Sequence, residues 1–274
     1  MLKRRTPLFV LSHMRSYSSV LSHVLGSHPQ IDGYCETRLH YHFSFDIMRL
    51  RWRVRRLTGE PLRGCFVLDK VLHNHLVAPA ILDRPDVRAV ILLRQPVEVL
   101  QSIVHMGTHL HPSEHYANVM HAARYYVERV KRLTQIARQT GTRGAFIESE
   151  ALMSNTDDVL DFLREFLGLD APLERRYRSF SRTGQPGFGD PSAAICSGEI
   201  GVRRETKPRY SIPPSFIAEA VEAHAECLAA CRYHCVLVPD GESRQLSKRA
   251  AREVALPGVA VPGPSHEERE RTST

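Results

Sequence analysis

The segment Ser12-His13-Met14-Arg15-Ser16-Tyr17-Ser18-Ser19 places one permanent cation and four hydroxyls within residues 15–19. It follows an apolar run, Pro7 to Leu11, that reads as a buried parallel strand, and it opens the stretch Ser16 to Gly26, where Val20, Leu21, Val24 and Leu25 recur at helical spacing. A polar turn between a strand and a helix N-terminus suits an anion, because the first helical amides lack intrahelical acceptors and the positive end of the helix dipole lies there. The turn has neither the glycines nor the Lys of G-x-x-x-x-G-K-[ST], and no G-x-G-x-x-G follows any predicted strand, which disfavours an ordinary ATP or GTP hydrolase and a Rossmann dinucleotide site.

A second pair of groups has the same logic. Arg94 leaves the apolar run Val87 to Leu93, and Ser102 stands eight residues later, two turns into the next predicted helix, so that both can meet one phosphate at the sheet's carboxyl edge. Two such sites on two strand ends suit a ligand with two separated anionic groups. Lys70 ends the run that begins at Cys65 and reaches Leu68, as Asp69-Lys70. From a strand's carboxyl end its point charge can reach a bridging oxygen in the crevice.

These blocks resemble the PAPS-dependent sulfotransferases, and are closest in motif to the bacterial carbohydrate and protein-tyrosine sulfotransferases. Arg15-Ser16-Tyr17-Ser18-Ser19 stands where that family carries R-S-G-[ST]-T, the loop for the 5′-phosphosulfate, with His28-Pro29 closing the following helix. Leu93-Arg94-Gln95-Pro96 with Ser102 is similar to its 3′-phosphate motif, L-R-[DN]-P followed by a helix bearing Ser. Phe146-Ile147-Glu148-Ser149-Glu150-Ala151-Leu152, leading to Phe166-Leu167-Gly168-Leu169, resembles Y-E-D-L … F-L-G-L. Gly189-Asp190-Pro191 to Ile200 resembles the segment that closes over the nucleotide. The likeness runs in order over about residues 7–205. It departs at Gln95, where an acidic residue is common, and at Tyr17, where Gly is usual, so the turn either avoids positive φ there or carries strain.

The resemblance implies a P-loop NTPase-like fold, PAPS as donor without a metal, and in-line transfer of the sulfuryl group to an acceptor hydroxyl. It assigns Arg15, Ser16, Tyr17, Ser18, Ser19, Arg94 and Ser102 to the donor, with Arg15 holding the sulfate. Lys70, like the Lys of the family's D-K-x-P segment, would neutralise the leaving oxygen. Glu36, in a run similar to H-P … E-T-R, would be the general base. A carbohydrate, a glycolipid or a small hydroxylated metabolite is the expected acceptor, with no nucleic acid expected and a homodimer possible. The rival readings are a P-loop-like kinase using ATP and a non-catalytic basic module for nucleic acid or a membrane surface.

Other chemistry-bearing residues read more plainly. His105, His109, His111, His115 and His121 have no Cys and only Glu114 as a carboxylate among them, a poor set for zinc, and are expected in an acceptor-facing loop, with one of them, or His13, as an auxiliary base. Cys227, Cys231 and Cys235, spaced by four, would share a buried helix face. Arg49, Arg53 and Arg56 would form the solvated face of a helix, between Thr37 and Leu57, that buries Ile47, Leu50, Val54 and Leu57.

The elements that must position these groups alternate. Strands at Pro7–Leu11, Cys65–Leu68, Val87–Leu93 and Gly144–Ile147, each followed by helical periodicity, predict an α/β fold with a central, mostly parallel sheet flanked by helices. Asn155 is placed to cap a helix that runs to Leu167 and stops at Gly168, residues 178–208 read as a long functional loop, and Ile217 to Cys231 is helical. The 274 residues, 42% hydrophobic and 24% charged, suffice for a large core, expected as one domain over 1–240 with a disordered tail over 241–274. The net charge of +7, of which +6 lies before residue 241, favours an anionic partner. Six scattered Cys, an apolar N-terminal run too short for a signal peptide and no run long enough to span a bilayer predict a reduced, cytoplasmic protein.

Overall fold

Leu8, Phe9, Val10 and Leu11 are all fully buried, because helices cover both faces of the strand they form. The computed structural model describes residues 5–185, 187–190, 192–201 and 209–239. Contacts divide the chain into Met1–Val238 and Pro239–Thr274, and the expected disordered tail lies outside the described residues. The chain runs through β1 (Thr6–Ser12), α1 (Ser18–Ser27), β2 (Ile31–Asp32), α2 (Asp46–Thr58), β3 (Phe66–Val71), α3 (Pro79–Leu82), β4 (Arg88–Leu93) and α4 (Pro96–His105). It continues with α5 (Glu114–Ala117), α6 (Val119–Thr140), β5 (Gly144–Glu148), α7 (Ser149–Ser154), α8 (Thr156–Leu167), α9 (Pro214–His234) and β6 (Val236–Leu237).

The six strands form one sheet in the order β2-β3-β1-β4-β5-β6, and every pairing is parallel. From β1 the chain first builds β2 and β3 on one side, then β4, β5 and β6 on the other. The carboxyl end of β1 is therefore a topological switch point, the place in an open α/β sheet where a crevice forms. Alternate residues divide the core: Phe9, Leu11, Val67, Ile91 and Phe146 pack beneath α2, α4, α6 and α9, while Leu8, Val10, Leu68, Val90 and Ile147 pack against α1 and α8.

Some boundaries differ from expectation for local reasons. The helix expected from Thr37 starts at Asp46, because Thr37 gives both its amide and its hydroxyl to Asp69, and Arg38 takes φ +57. Asp46 then accepts the amides of His42 and Phe43, closing the turn before α2. Asn155 sits at the start of α8 but its side chain caps nothing; Asn118 is the residue that caps, accepting the amides of Met120 and His121 at the start of α6. The histidine-rich stretch is mostly helical rather than a loop: α4 ends at His105, Met106–Leu110 is a π-helical turn, and α5 and α6 follow. Cys227, Cys231 and Cys235 are buried on α9 and at its end, packed in the core. Among the described residues no helix is long and apolar enough to cross a membrane.

Candidate active site

The turn after β1 holds two residues in the left-handed region, Arg15 at φ +63 and Tyr17 at φ +61. Tyr17 thus carries the strain that a glycine would avoid, about 1–2 kcal/mol for a residue with a Cβ. Neighbours hold the turn in place. The Arg94 guanidinium carbon lies 4.3 Å from the Tyr17 ring centroid, and Arg94 Nη1 donates to the Arg15 carbonyl at 2.9 Å. Ser149 Oγ donates to the Ser16 carbonyl at 2.9 Å, so β5 and α7 brace the turn from below.

His13 is not available as a base. Its Nδ1 bonds the Met14 carbonyl at 2.9 Å and its Nε2 accepts the Arg94 amide at 3.1 Å, which requires the neutral ring with the proton on Nδ1. Burial pushes its pKa down to about 3. Its role is to tie the end of β4 to the turn.

Arg15 and Ser102 meet directly, Nε to Oγ at 3.0 Å, and Arg15 Nη1 pairs with Asp190 Oδ1 at 3.0 Å. Ser102 therefore faces Arg15 rather than Arg94, and the two anion sites read from the sequence form one continuous surface. Arg94 turns toward Tyr17 and pairs with Glu98. Burial tends to raise the Asp190 pKa, but the Arg15 charge and the bonds from Arg15 and Ser192 outweigh it and hold the carboxyl below the usual range.

Lys70 lies inside β3, last but one, rather than at its end, and is 2% exposed. Its Nζ donates to Ser19 Oγ at 2.8 Å and pairs with Glu36 Oε1 at 3.2 Å. Ser16, Ser18 and Ser19 are all buried, where the turn enters α1. Gly189 closes over this group: a Cβ there would crowd Ser19 Oγ at 3.1 Å and Lys70 Nζ at 3.2 Å, and its φ of +149 favours glycine. The next amide, Asp190, donates to Ser19 Oγ at 3.0 Å.

Several positioning residues carry little sequence signal. Asp69, adjacent to Lys70, is buried and accepts the Thr37 amide at 2.8 Å, the Thr37 hydroxyl at 2.6 Å and the Tyr41 hydroxyl. It anchors the segment beside Glu36, and burial raises its pKa to about 6 despite those bonds. A lone Asp in an apolar strand is the available hint. Arg129 of α6 is 1% exposed and binds the Ser12 carbonyl through Nε at 2.9 Å, the Val71 carbonyl through Nη2 at 2.8 Å and Asn74 Oδ1 through Nη1 at 3.0 Å. Burial lowers its pKa only to about 10, so it stays charged. Tyr125 links the Met14 amide to the Leu72 carbonyl, at 2.9 and 3.0 Å.

The loop 178–190 is fastened to α1 and its neighbour segment. Phe180 stacks on Tyr34 with centroids 3.9 Å apart, Arg182 donates its amide to the Tyr34 hydroxyl at 3.0 Å, and His23 Nε2 bonds Thr183 Oγ1 at 2.9 Å. Burial pushes His23 down to about 4. Pro191, part of the closing segment expected from the sequence, lies outside the described residues. Of the histidine-rich stretch, His105 and His109 pair ring to ring at 5.0 Å and His115 stacks on His121 at 4.4 Å. Among the described residues no group of three or more His, Cys, Asp or Glu is placed to hold a metal ion.

No family model and no curated protein matches the sequence. Solved structures do match. The sulfotransferase domain from the curacin biosynthetic pathway is 16% identical and superposes with a TM-score of 0.54 over 80% of this chain and 98% of its own. The sulfotransferase domain from the Synechococcus PCC 7002 olefin synthase is 18% identical, with a TM-score of 0.51 over 80% of this chain and 95% of its own. The chain thus has the α/β fold of the sulfotransferases, with Lys70 next to last in β3 and Arg15 and Arg94 just beyond the carboxyl ends of the neighbouring strands β1 and β4.

Proposed function

We propose that the protein is a PAPS-dependent sulfotransferase that moves the sulfuryl group to an acceptor hydroxyl. The observation that carries the reading is the contact chain Glu36–Lys70–Ser19, which joins a carboxylate, a buried cation and a donor-loop hydroxyl within hydrogen-bonding reach. Arg15 with Ser18, Ser19 and the amides of the turn binds the 5′-phosphosulfate, and Arg94 binds the 3′-phosphate, with Ser102 turning from Arg15 to join it. The Arg15–Ser102 contact supports placing both groups on one ligand.

In the reaction Glu36 takes the proton of the acceptor hydroxyl as its oxygen forms a bond to sulfur. The bond from sulfur to the bridging phosphate oxygen breaks in line, and that oxygen keeps the electron pair. Lys70 neutralises the charge that develops there, in a site where its positive end is already fixed by Ser19 and Glu36. No metal is needed for these steps, since fixed cations occupy the positions where charge develops. The six unpaired thiols fit a reducing cytoplasmic setting, and residues 1–240 are taken as one domain.

Thermal shift with adenosine 3′,5′-bisphosphate, ATP and RNA, followed by transfer of labelled sulfate from PAPS, tests the reading. Stabilisation by the bisphosphate and label transfer are expected. Stabilisation by ATP alone would turn the assignment to a kinase, and by RNA alone to a nucleic-acid module.

A further inference from the structure

Helix α2 carries apolar surface on its outer side as well as its inner one. Ile47, Leu50, Val54 and Leu57 face the core, while Met48 and Trp52, one turn apart, are 65% and 61% exposed. Phe43 and Phe45, stacked with centroids 5.6 Å apart just before the helix, are exposed as well. One exposed apolar side chain needs no explanation, whereas a run of four large ones marks a binding surface.

Charge surrounds this surface. Between residues 36 and 58 six Arg stand against two carboxylates, Glu36 and Asp46. Glu36 is held by Lys70, and Asp46 pairs with Arg49 at 2.9 Å. Among the described residues Arg38 and Arg53 have no carboxylate partner. A cleft of about 470 Å³ opens here, with Trp52, Met48 and Leu39 as apolar lining and Arg38, Arg49 and Arg53 as cations. Its volume lies within the range of small-ligand sites.

The cleft adjoins the reaction centre through the backbone. Thr37, which also lines it, follows Glu36 directly. Arg38 is held at φ +57, and its guanidinium packs on Gly187, where a Cβ would stand 2.9 Å from Nη2. Gly187 is two residues before the glycine that covers Lys70. Backbone strain of this kind clusters at functional sites, and Arg38 both lines the cleft and touches the strap over the donor loop.

We propose that this cleft is the acceptor site and that the acceptor is an anionic amphiphile. Its apolar body lies on Trp52 and Met48, its phosphate, sulfate or carboxylate is held by Arg49, Arg53 and Arg38, and its hydroxyl reaches Glu36. The proposal rests on the sulfotransferase reading for the acceptor role. A neutral sugar would leave the charges of Arg38 and Arg53 without a counter-ion, and a concave cleft of this volume suits a single molecule better than a flat bilayer surface.

Trp52 is the only tryptophan of the chain, so its emission reports on the cleft alone. The full-length protein, saturated with adenosine 3′,5′-bisphosphate, is titrated with decyl phosphate below its critical micelle concentration. A saturable blue shift is expected, with decyl maltoside and inorganic phosphate each binding at least about tenfold more weakly, as loss of one charge-assisted contact or of the apolar contact requires. The R49A/R53A double variant should lose decyl phosphate binding by a similar factor and keep its thermal shift with the bisphosphate. Equal affinity for decyl maltoside, or no saturable response, overturns the proposal. A shift seen only with phosphatidylglycerol vesicles also overturns it and makes the face a membrane contact. If decyl phosphate binds but the bisphosphate fails to stabilise the protein, the acceptor role falls together with the sulfotransferase reading, and only an amphiphile site remains.

Discussion

Lys70 Nζ and Glu36 Oε1 lie 3.2 Å apart, with 1% of the lysine side chain and 12% of the glutamate side chain exposed. The pair sets a sharp expectation for substitution. Glu36→Gln keeps an oxygen for Lys70 to bond and so should fold, whereas Glu36→Ala leaves the buried cation with the Ser19 hydroxyl alone, at a cost of about 3–5 kcal/mol. With the base role assigned above, E36Q should lower turnover by roughly 10²- to 10⁴-fold. It should leave the affinity for the bisphosphate product unchanged, as read by thermal shift, and full turnover in E36Q would remove Glu36 from the mechanism.

Asp190 occupies Arg15 in this structure, Oδ1 to Nη1 at 3.0 Å. An anionic donor must share or take that cation. Asp190→Asn removes the competing charge and should tighten bisphosphate binding, while Arg15→Ala should weaken it by about tenfold or more, the worth of a charge-assisted hydrogen bond. Isothermal titration of both variants checks the pair; weaker binding in D190N would assign Asp190 to the donor site itself.

Tyr17 combines an unfavourable backbone with a favourable ring. Replacement by Gly removes about 1–2 kcal/mol of left-handed strain but forfeits the contact with Arg94, worth about 0.5–2 kcal/mol, so chemical denaturation should show Y17G near neutral. Tyr17→Ala keeps the strain and loses the contact, and should destabilise by about 1 kcal/mol. A Y17A protein as stable as the unsubstituted one would mean that the ring contributes nothing, and one as stable as Y17G would mean that the backbone strain does not.

Acid should destabilise the fold. His13 and His23 are buried neutral with pKa values near 3 and 4, so below pH 6.5 the unfolded chain binds protons that the native state refuses, and stability falls until those values are reached. Asp69, raised to about 6, acts in the opposite sense: between its unfolded value of 3.8 and 6 the native state is the better proton binder, and stability falls as pH rises. Two imidazoles against one carboxyl leave a net loss of about 1.4 kcal/mol per pH unit on acidification between pH 6 and 4. His28, His73 and His224, also lowered mainly by burial, add in the same direction. Thermal unfolding from pH 7 to 4.5 should show a falling Tm, steeper in Asp69→Asn, and a Tm that rises in acid would contradict the burial of His13 and His23.

The parts of the fold legible in the sequence are those whose signal is local. β1, β4 and β5 are unbroken apolar runs, and the turn after β1 is marked by its hydroxyls and its cation. The start of α2 was hidden, because the Thr37 hydroxyl and amide that divert the backbone are paid for by Asp69 from another strand. Likewise α6 begins inside a histidine-rich stretch that reads as a loop, and only the cap at Asn118 gives it away. Arg15, Lys70 and Arg94 could be named from position alone, each at or beyond the end of an apolar run. That Ser102 turns to Arg15, and that Asp190 lies against it, depends on side chains meeting across 87 and 175 residues of chain, which no spacing rule contains.

Arg129 binds the last carbonyl of β1 and the last carbonyl of β3 with one guanidinium. β3 carries Lys70 and β1 leads into the turn before Ser19, so the floor of the proposed donor site is tied to α6. Under the proposed function, exchange of spent bisphosphate for fresh donor would leave β1 and β3 together. The contact that donor binding must exchange is then the Asp190–Arg15 pair above that floor, not the strands beneath it.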